Sequence, residues 1–212
     1  MICHENKFIF IHIPKNGGTS INKTLRNRKL KYYERYVHER PTFHREYWDK
    51  YFTFTFVRNP WDRAVSAFFY GYKFAVNPCK RRDKTDINQV IKLVHQHGPE
   101  GGFREYVKNY LPYHKCDTFI TSVFGLGFKP QHQWVNGFKY NYIGRFESIN
   151  TDCLSVLNEL QICGKLRKTG QKKIKHKNRS FTNPYYCYYD SESRNIIGEI
   201  YKDDIEAFGY SF

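Results

Sequence analysis

The residue types best suited to chemistry cluster between Lys15 and Ser20. Lys15 brings a full positive charge, Gly17 and Gly18 let backbone approach a ligand closely, and Thr19 and Ser20 bring hydroxyl donors. An apolar run, Phe8, Ile9, Phe10, Ile11 and Ile13, comes before them and reads as a buried strand. An amphipathic segment from Ser20 to Arg28, with Ile21 and Leu25 on its inner side, follows and reads as a helix. Strand, glycine turn and helix form a geometry for holding an anion. Free N–H groups point inward and the helix N-terminus adds a positive partial charge. The order of residues departs from the nucleoside triphosphate loop, in which the lysine follows the glycines. Lys15 precedes them. The plain alternative is an ordinary strand-to-helix turn with a solvated lysine.

A second junction has the same form. Phe52 to Val57 (FTFTFV) alternates with period two and is aromatic or β-branched throughout, which predicts a strand. It stops at Arg58. Asn59 suits a helix cap and Pro60 the first helical turn, so a helix is expected from Trp61 to about Tyr72, with Val65, Phe68 and Phe69 inward. Ser66 lies two turns into that helix. Arg63 either supports the helix or pairs with a carboxylate, or else serves the site.

Pro-Lys-x-Gly-Gly-Thr-Ser after a strand resembles the 5′-phosphosulfate loop of sulfotransferases that use 3′-phosphoadenosine 5′-phosphosulfate (PAPS). Val-Arg-Asn-Pro-x-x-Arg-x-x-Ser, from Val57 to Ser66, resembles their 3′-phosphate motif. Further similar blocks are Gln131 to Trp134, Ile143 to Glu147, His176 to Ser180, Tyr189-Asp190, Ile200 to Ile205 and Phe208 to Tyr210. The resemblance covers most of the chain outside about 71 to 115 and is closest to the Golgi-type carbohydrate sulfotransferases (heparan sulfate 2-O-, chondroitin and related). It implies that Lys15, Asn16, Gly17, Gly18, Thr19 and Ser20 hold the 5′ end of PAPS. Arg58 and Ser66 would hold its 3′-phosphate, and Arg179 and Ser180 would reach the nucleotide from a late basic loop. An Arg contact assisted by charge, plus a hydroxyl, separates PAPS from nucleotides without that phosphate.

The implied reaction is in-line transfer of a sulfuryl group to an acceptor hydroxyl. It needs a base for the hydroxyl proton and a cation for the charge growing on the leaving phosphate. Lys15 suits the second role. Histidine is the natural base near neutral pH. His38 stands about where related glycan sulfotransferases place their proposed base. His44 and His132 come next, Glu39 is the carboxylate alternative, and His12, inside the first strand, reads as a packed residue with a satisfied ring. No metal is expected, because a sulfuryl group carries less charge than a phosphoryl group and no Asp closes the strand before Arg58.

The elements that must position these groups fit one domain over residues 1–212. The expected fold is α/β and P-loop-like, a mostly parallel central sheet flanked by helices. Lys29 to Val37 reads as strand-like, Thr42 to Tyr51 as a short helix, and Thr118 to Val123 and Tyr140 to Gly144 as short strands. Residues 71–115 read as an acceptor-side insertion, helical near Ile87 to His95, broken at Gly98 to Gly102, and amphipathic again from Phe103 to Tyr110. Thr151 to Leu160 and Ser191 to Phe208 read as helices.

Composition narrows the partners. The chain has 212 residues, 40% of them apolar, with 35 Lys and Arg against 20 Asp and Glu, a formal charge of +15. That content suits a real core, and the charge suits an anionic partner. Lys165 to Arg179 is the densest basic run. The six cysteines, Cys3, Cys79, Cys116, Cys153, Cys163 and Cys187, show no C-x-x-C pairing, so reduced thiols are the default. No apolar run reaches bilayer length and no signal-peptide core is visible, which favours a cytoplasmic or otherwise soluble protein, or the Golgi lumen if the chain is trimmed. The reading is therefore PAPS-dependent sulfation of a carbohydrate or glycoconjugate hydroxyl, with an acceptor that is not nucleic acid. Two rivals differ in class. One is a non-catalytic basic module binding sulfated glycan or nucleic acid, and the other is a nucleotide kinase needing ATP and Mg²⁺.

Overall fold

The computed structural model describes residues 1–26, 30–34, 37–76, 85–113, 123–161 and 183–212. In chain order the first elements are β1 (Ile2–Cys3), β2 (Phe8–Ile11), α1 (Gly18–Arg26), a 3-10 helix (Pro41–Tyr47), β3 (Phe52–Val57) and α2 (Pro60–Ala75). Then come α3 (Thr85–Asn109), α4 (Val123–Phe128), α5 (His132–Val135), β4 (Tyr142–Arg145), α6 (Ile149–Glu159), α7 (Ser191–Ile200) and α8 (Lys202–Phe208). Two compact units result. One comprises Met1–Arg58 with Gln131–Lys177, the other Asn59–Pro130 with Asn178–Phe212.

The first unit holds the sheet, in the order β1-β2-β3-β4. β1 runs antiparallel to β2, while β2 pairs parallel with β3 and β3 parallel with β4. The architecture is mixed α/β with a mostly parallel sheet, as the alternation of strands and helices predicts. All four residues of β2 are buried, which explains its continuous rather than alternating apolar pattern. Phe8, Phe10, Phe54 and Phe56 face one side and pack with Ile21 and Leu25 of α1 and with Ile149, Cys153, Val156 and Leu157 of α6. The register pairs Ile11 with Thr55 and Val57 with Arg145. The residues after Ile11 and after Val57 therefore emerge at the same, carboxyl-terminal, end of the sheet, where ligands of open α/β sheets bind.

The second unit is helical. Trp61, Val65, Phe68 and Phe69 of α2 share a core with Phe103, Tyr106 and Val107 of α3 and with Ile197 and Tyr201. Two buried tyrosine hydroxyls are satisfied by backbone. Tyr189 Oη donates to the Trp61 carbonyl at 2.9 Å and Tyr201 Oη to the Phe128 carbonyl at 2.6 Å. The break expected at Gly98 is a kink inside α3, where Gly98 has φ 73° and Pro99 follows. A positive φ costs glycine little, so the turn falls there.

Several element readings change. Lys29 to Val37 forms no strand among its described residues, only an isolated bridge of Tyr33 to Ile2. Two backbone hydrogen bonds at that point do not extend a ladder. The helix expected from Thr42 is a 3-10 helix that begins at Pro41. The C-terminal helix is two helices. α7 ends at Ile200, and Tyr201 (φ −111°, ψ 25°) separates it from α8. The strand expected from Thr118 falls almost wholly outside the described residues, and Val123 opens α4. β1 was not expected, being too short to show a period.

Candidate active site

The loop from His12 to Gly17 joins β2 to α1. Lys15 adopts φ 71° and Gly17 φ 78°. Left-handed backbone is ordinary for glycine but costs a lysine of order 1 kcal/mol or more, so surrounding contacts must hold Lys15 there. One such contact is visible: the Arg58 guanidinium donates through Nη1 to the Lys15 carbonyl at 3.0 Å. The Gly17 carbonyl accepts from the amides of Ser20 and Ile21 at 2.8 and 3.2 Å, starting α1. Thr19 is exposed, Gly17 and Lys15 are half-buried, and Ser20 is buried.

Arg58 leaves the end of β3 and is fixed on several sides. Its guanidinium carbon lies 4.0 Å from the Phe146 ring centroid, a cation–π distance. Gln131 fixes its backbone, accepting from the Arg58 amide through Oε1 at 2.9 Å and donating to the Arg58 carbonyl through Nε2 at 2.9 Å. The same Gln131 Oε1 accepts from Asn16 Nδ2 at 2.7 Å, and Asn16 Nδ2 also donates to the Phe56 carbonyl at 2.7 Å. The Asn16 side chain is thus turned into the protein, where it binds the loop to β3. Any contact of Asn16 with a ligand falls to its backbone.

His38 sits half-buried beside the same loop. Its Nδ1 lies 3.0 Å from the His12 carbonyl oxygen, and the two imidazoles meet edge to face with centroids 4.5 Å apart. A carbonyl only accepts, so His38 Nδ1 carries the hydrogen. In the neutral ring Nε2 then keeps the lone pair that a base requires. Glu39 is differently placed. Its Oε2 accepts from the Met1 nitrogen and from His44 Nε2, both at 2.9 Å, in a buried cluster. Burial, then the Met1 amine, push the His44 imidazole below its ordinary pKa despite Glu39 beside it. Glu39 and His44 serve the fold there, whereas His38 stands next to the loop.

His12 is packed, as expected, but its ring is only partly satisfied: it hydrogen-bonds to the Val37 backbone, while Nδ1 is buried with no hydrogen-bond partner. Burial first, then the nearby His38, the Met1 amine and Lys15, hold its pKa well below the ordinary value for histidine.

Lys15, Asn16, Gly17, Gly18, Thr19, Ser20, His38 and Arg58 therefore belong to the first unit. Ser66 lies in α2 of the second unit and is buried. α2 starts as its sequence predicts: Asn59 Oδ1 accepts from the amides of Trp61 and Asp62, with Pro60 as first residue. Arg63 is almost fully buried within that unit. Arg179 and Ser180 lie outside the described residues. Sequence reasoning gave no role to Gln131 or Phe146, although both fall in blocks that it noted. A glutamine joining two chain segments leaves no periodic signal.

Together these features define a class: an α/β protein whose strand–loop–helix junction is lined by a lysine, an arginine and a histidine. The chain belongs to the Sulfotransferase family, whose model matches residues 1–211. It is a sulfotransferase. No curated protein and no solved structure matches the chain significantly. No helix among the described residues is long and apolar enough to cross a membrane.

Proposed function

We propose that this sulfotransferase moves the sulfuryl group of PAPS to a hydroxyl of a carbohydrate or glycoconjugate, within one catalytic domain spanning residues 1–212. The observation that carries the reading is the Arg58–Lys15 hydrogen bond, which ties the two cation-bearing motifs into one arrangement at the carboxyl end of the sheet. The N–H groups of the loop, with Lys15, Thr19 and Ser20, receive the 5′-phosphosulfate. Arg58 contributes to the 3′-phosphate, with Ser66, Arg179 and Ser180 as the further ligands that the sequence motifs suggest. The acceptor oxygen forms a bond to sulfur as the bond from sulfur to the phosphate oxygen breaks. His38 Nε2 takes the hydroxyl proton, and Lys15 stabilises the negative charge that passes to the leaving 3′-phosphoadenosine 5′-phosphate.

Thermal denaturation with 3′-phosphoadenosine 5′-phosphate, beside ADP and ATP with Mg²⁺, tests the donor. At about 100 times its dissociation constant the product nucleotide should add about 2.7 kcal/mol to the folded state. Arg58→Ala should abolish that gain, and ADP should give much less. Equal stabilisation by ATP would refute the donor assignment. For the base, His38→Ala should lower kcat by about 10²- to 10⁴-fold and leave nucleotide binding in place.

A further inference from the structure

His12 opens the loop just after β2, not the strand itself, and carries no role in the reaction proposed above, yet its surroundings are unusual for a core residue. A Cβ built on Gly18 would overlap its ring, so the loop backbone lies directly against the imidazole. The Phe10 ring is stacked on it with centroids 6.0 Å apart, and the His38 ring meets it edge to face at 4.5 Å. Its own carbonyl fixes Nδ1 of His38. Its ring Nδ1 is buried without a partner, which a leucine or phenylalanine would avoid. A side chain wedged between the anion loop and the base, and kept polar at a cost, is placed to set the distance between them.

We propose that His12 is a positioning residue for sulfuryl transfer: its imidazole spaces and orients His38 relative to the Gly17-Gly18 loop. The proposal rests on the sulfotransferase reading above, with His38 as base. The role is performed by a neutral ring. The groups facing His12 are His38, Lys15 and the Met1 amine, all of which disfavour a second positive charge, while the Val37 backbone favours one and is outweighed. The cationic form of the His12 ring is therefore disfavoured. His12 acts through shape and through the backbone carbonyl it shares with His38.

The test compares His12→Leu, which fills the space without a flat polar group, with His12→Asn, which restores a flat, permanently neutral amide. Both are measured on the full chain for kcat, for KM of PAPS and for binding of 3′-phosphoadenosine 5′-phosphate. A misplacement of the base of this kind lowers the rate by about 10- to 100-fold. His12→Leu should show that loss in kcat, with nucleotide affinity within about threefold of wild type, and His12→Asn should recover to within about fivefold. Histidine-ring NMR of wild type needs no donor. It should show His38 with its hydrogen on Nδ1, and a His12 ring that titrates well below an ordinary histidine. Undiminished kcat in His12→Leu, His12→Asn as poor as His12→Leu, or a His12 ring titrating near pH 6.5 would each overturn the proposal. Wild type that neither binds the nucleotide nor transfers sulfate, but shows the NMR pattern, would overturn the sulfotransferase reading and leave the ring contact as architecture alone.

Discussion

Gly18 has no room for a side chain because the His12 ring fills the space where its Cβ would stand. Gly17 is constrained differently. Its φ of 78° already disfavours other residues, and a Cβ there would lie 2.6 Å from Ile149 Cδ1 and 2.9 Å from Phe146 Cδ2. Gly18→Ala must therefore push either the loop or the imidazole. Overpacking of this kind costs about 1–3 kcal/mol. The expected outcome is a lower Tm together with a kcat loss resembling that of His12→Leu, because the methyl group displaces the ring that spaces His38. Denaturant unfolding and steady-state kinetics check both parts. A Gly18→Ala protein with wild-type Tm and kcat would mean that the ring moves aside freely. Phe146 illustrates a second residue-scale point: it bounds Gly17 on one side and carries the Arg58 guanidinium on its ring, so one aromatic fixes the loop and the arginine together.

At the scale of elements, α7 has the best-defined start. Asp190 Oδ1 accepts from the Ser193 amide at 2.9 Å, and the Ser193 hydroxyl accepts in return from the Asp190 amide at 3.1 Å. Lys108 near the end of α3 reaches Asp190 at 2.8 Å and Glu192 at 2.7 Å. Burial alone would raise the Asp190 pKa, but the bonds from Lys108 and Ser193 outweigh it and hold the carboxyl far below its usual range. Asp190→Ala should cost about 1–2 kcal/mol through the lost cap. Asp190→Asn, which keeps a cap acceptor, should cost less; urea unfolding of the three proteins checks the order, and equal losses would deny the cap its role. A continuous apolar run made β2 readable, alternation made β3 readable, and helical spacing of apolar residues made α2 and α6 readable. The two motif loops were readable because glycine, lysine and arginine stand at strand ends. Gln131 was not, since its partners Asn16 and Arg58 are distant in sequence and chosen by hydrogen-bond geometry alone. Tyr201 was missed as a helix break because Ile197, Tyr201 and Ile205 keep helical spacing through it.

For the whole molecule, the formal charge of +15 at pH 7 leaves nine histidines still to be protonated as pH falls. Two of them, His12 and His44, are held below the ordinary 6.5 in the folded chain, mainly by burial. The sign follows directly. The unfolded chain binds those protons at a higher pH than the folded chain, so their contribution to stability is complete above pH 6.5 and is lost as pH falls towards the folded values. Each such histidine changes stability by up to about 1.4 kcal/mol per pH unit across its interval. Self-repulsion of a chain already strongly positive acts in the same direction and is screened by salt. Tm should therefore fall steadily from pH 7.5 to 5. Added NaCl should recover the part due to repulsion and leave the histidine part. His12→Asn, which cannot take up a proton, should show a shallower decline than wild type at matched salt. Scanning calorimetry over that range separates the two contributions. A Tm that holds level or rises on acidification would refute the burial of two neutral imidazoles in the first unit, and the neutral His12 ring with it.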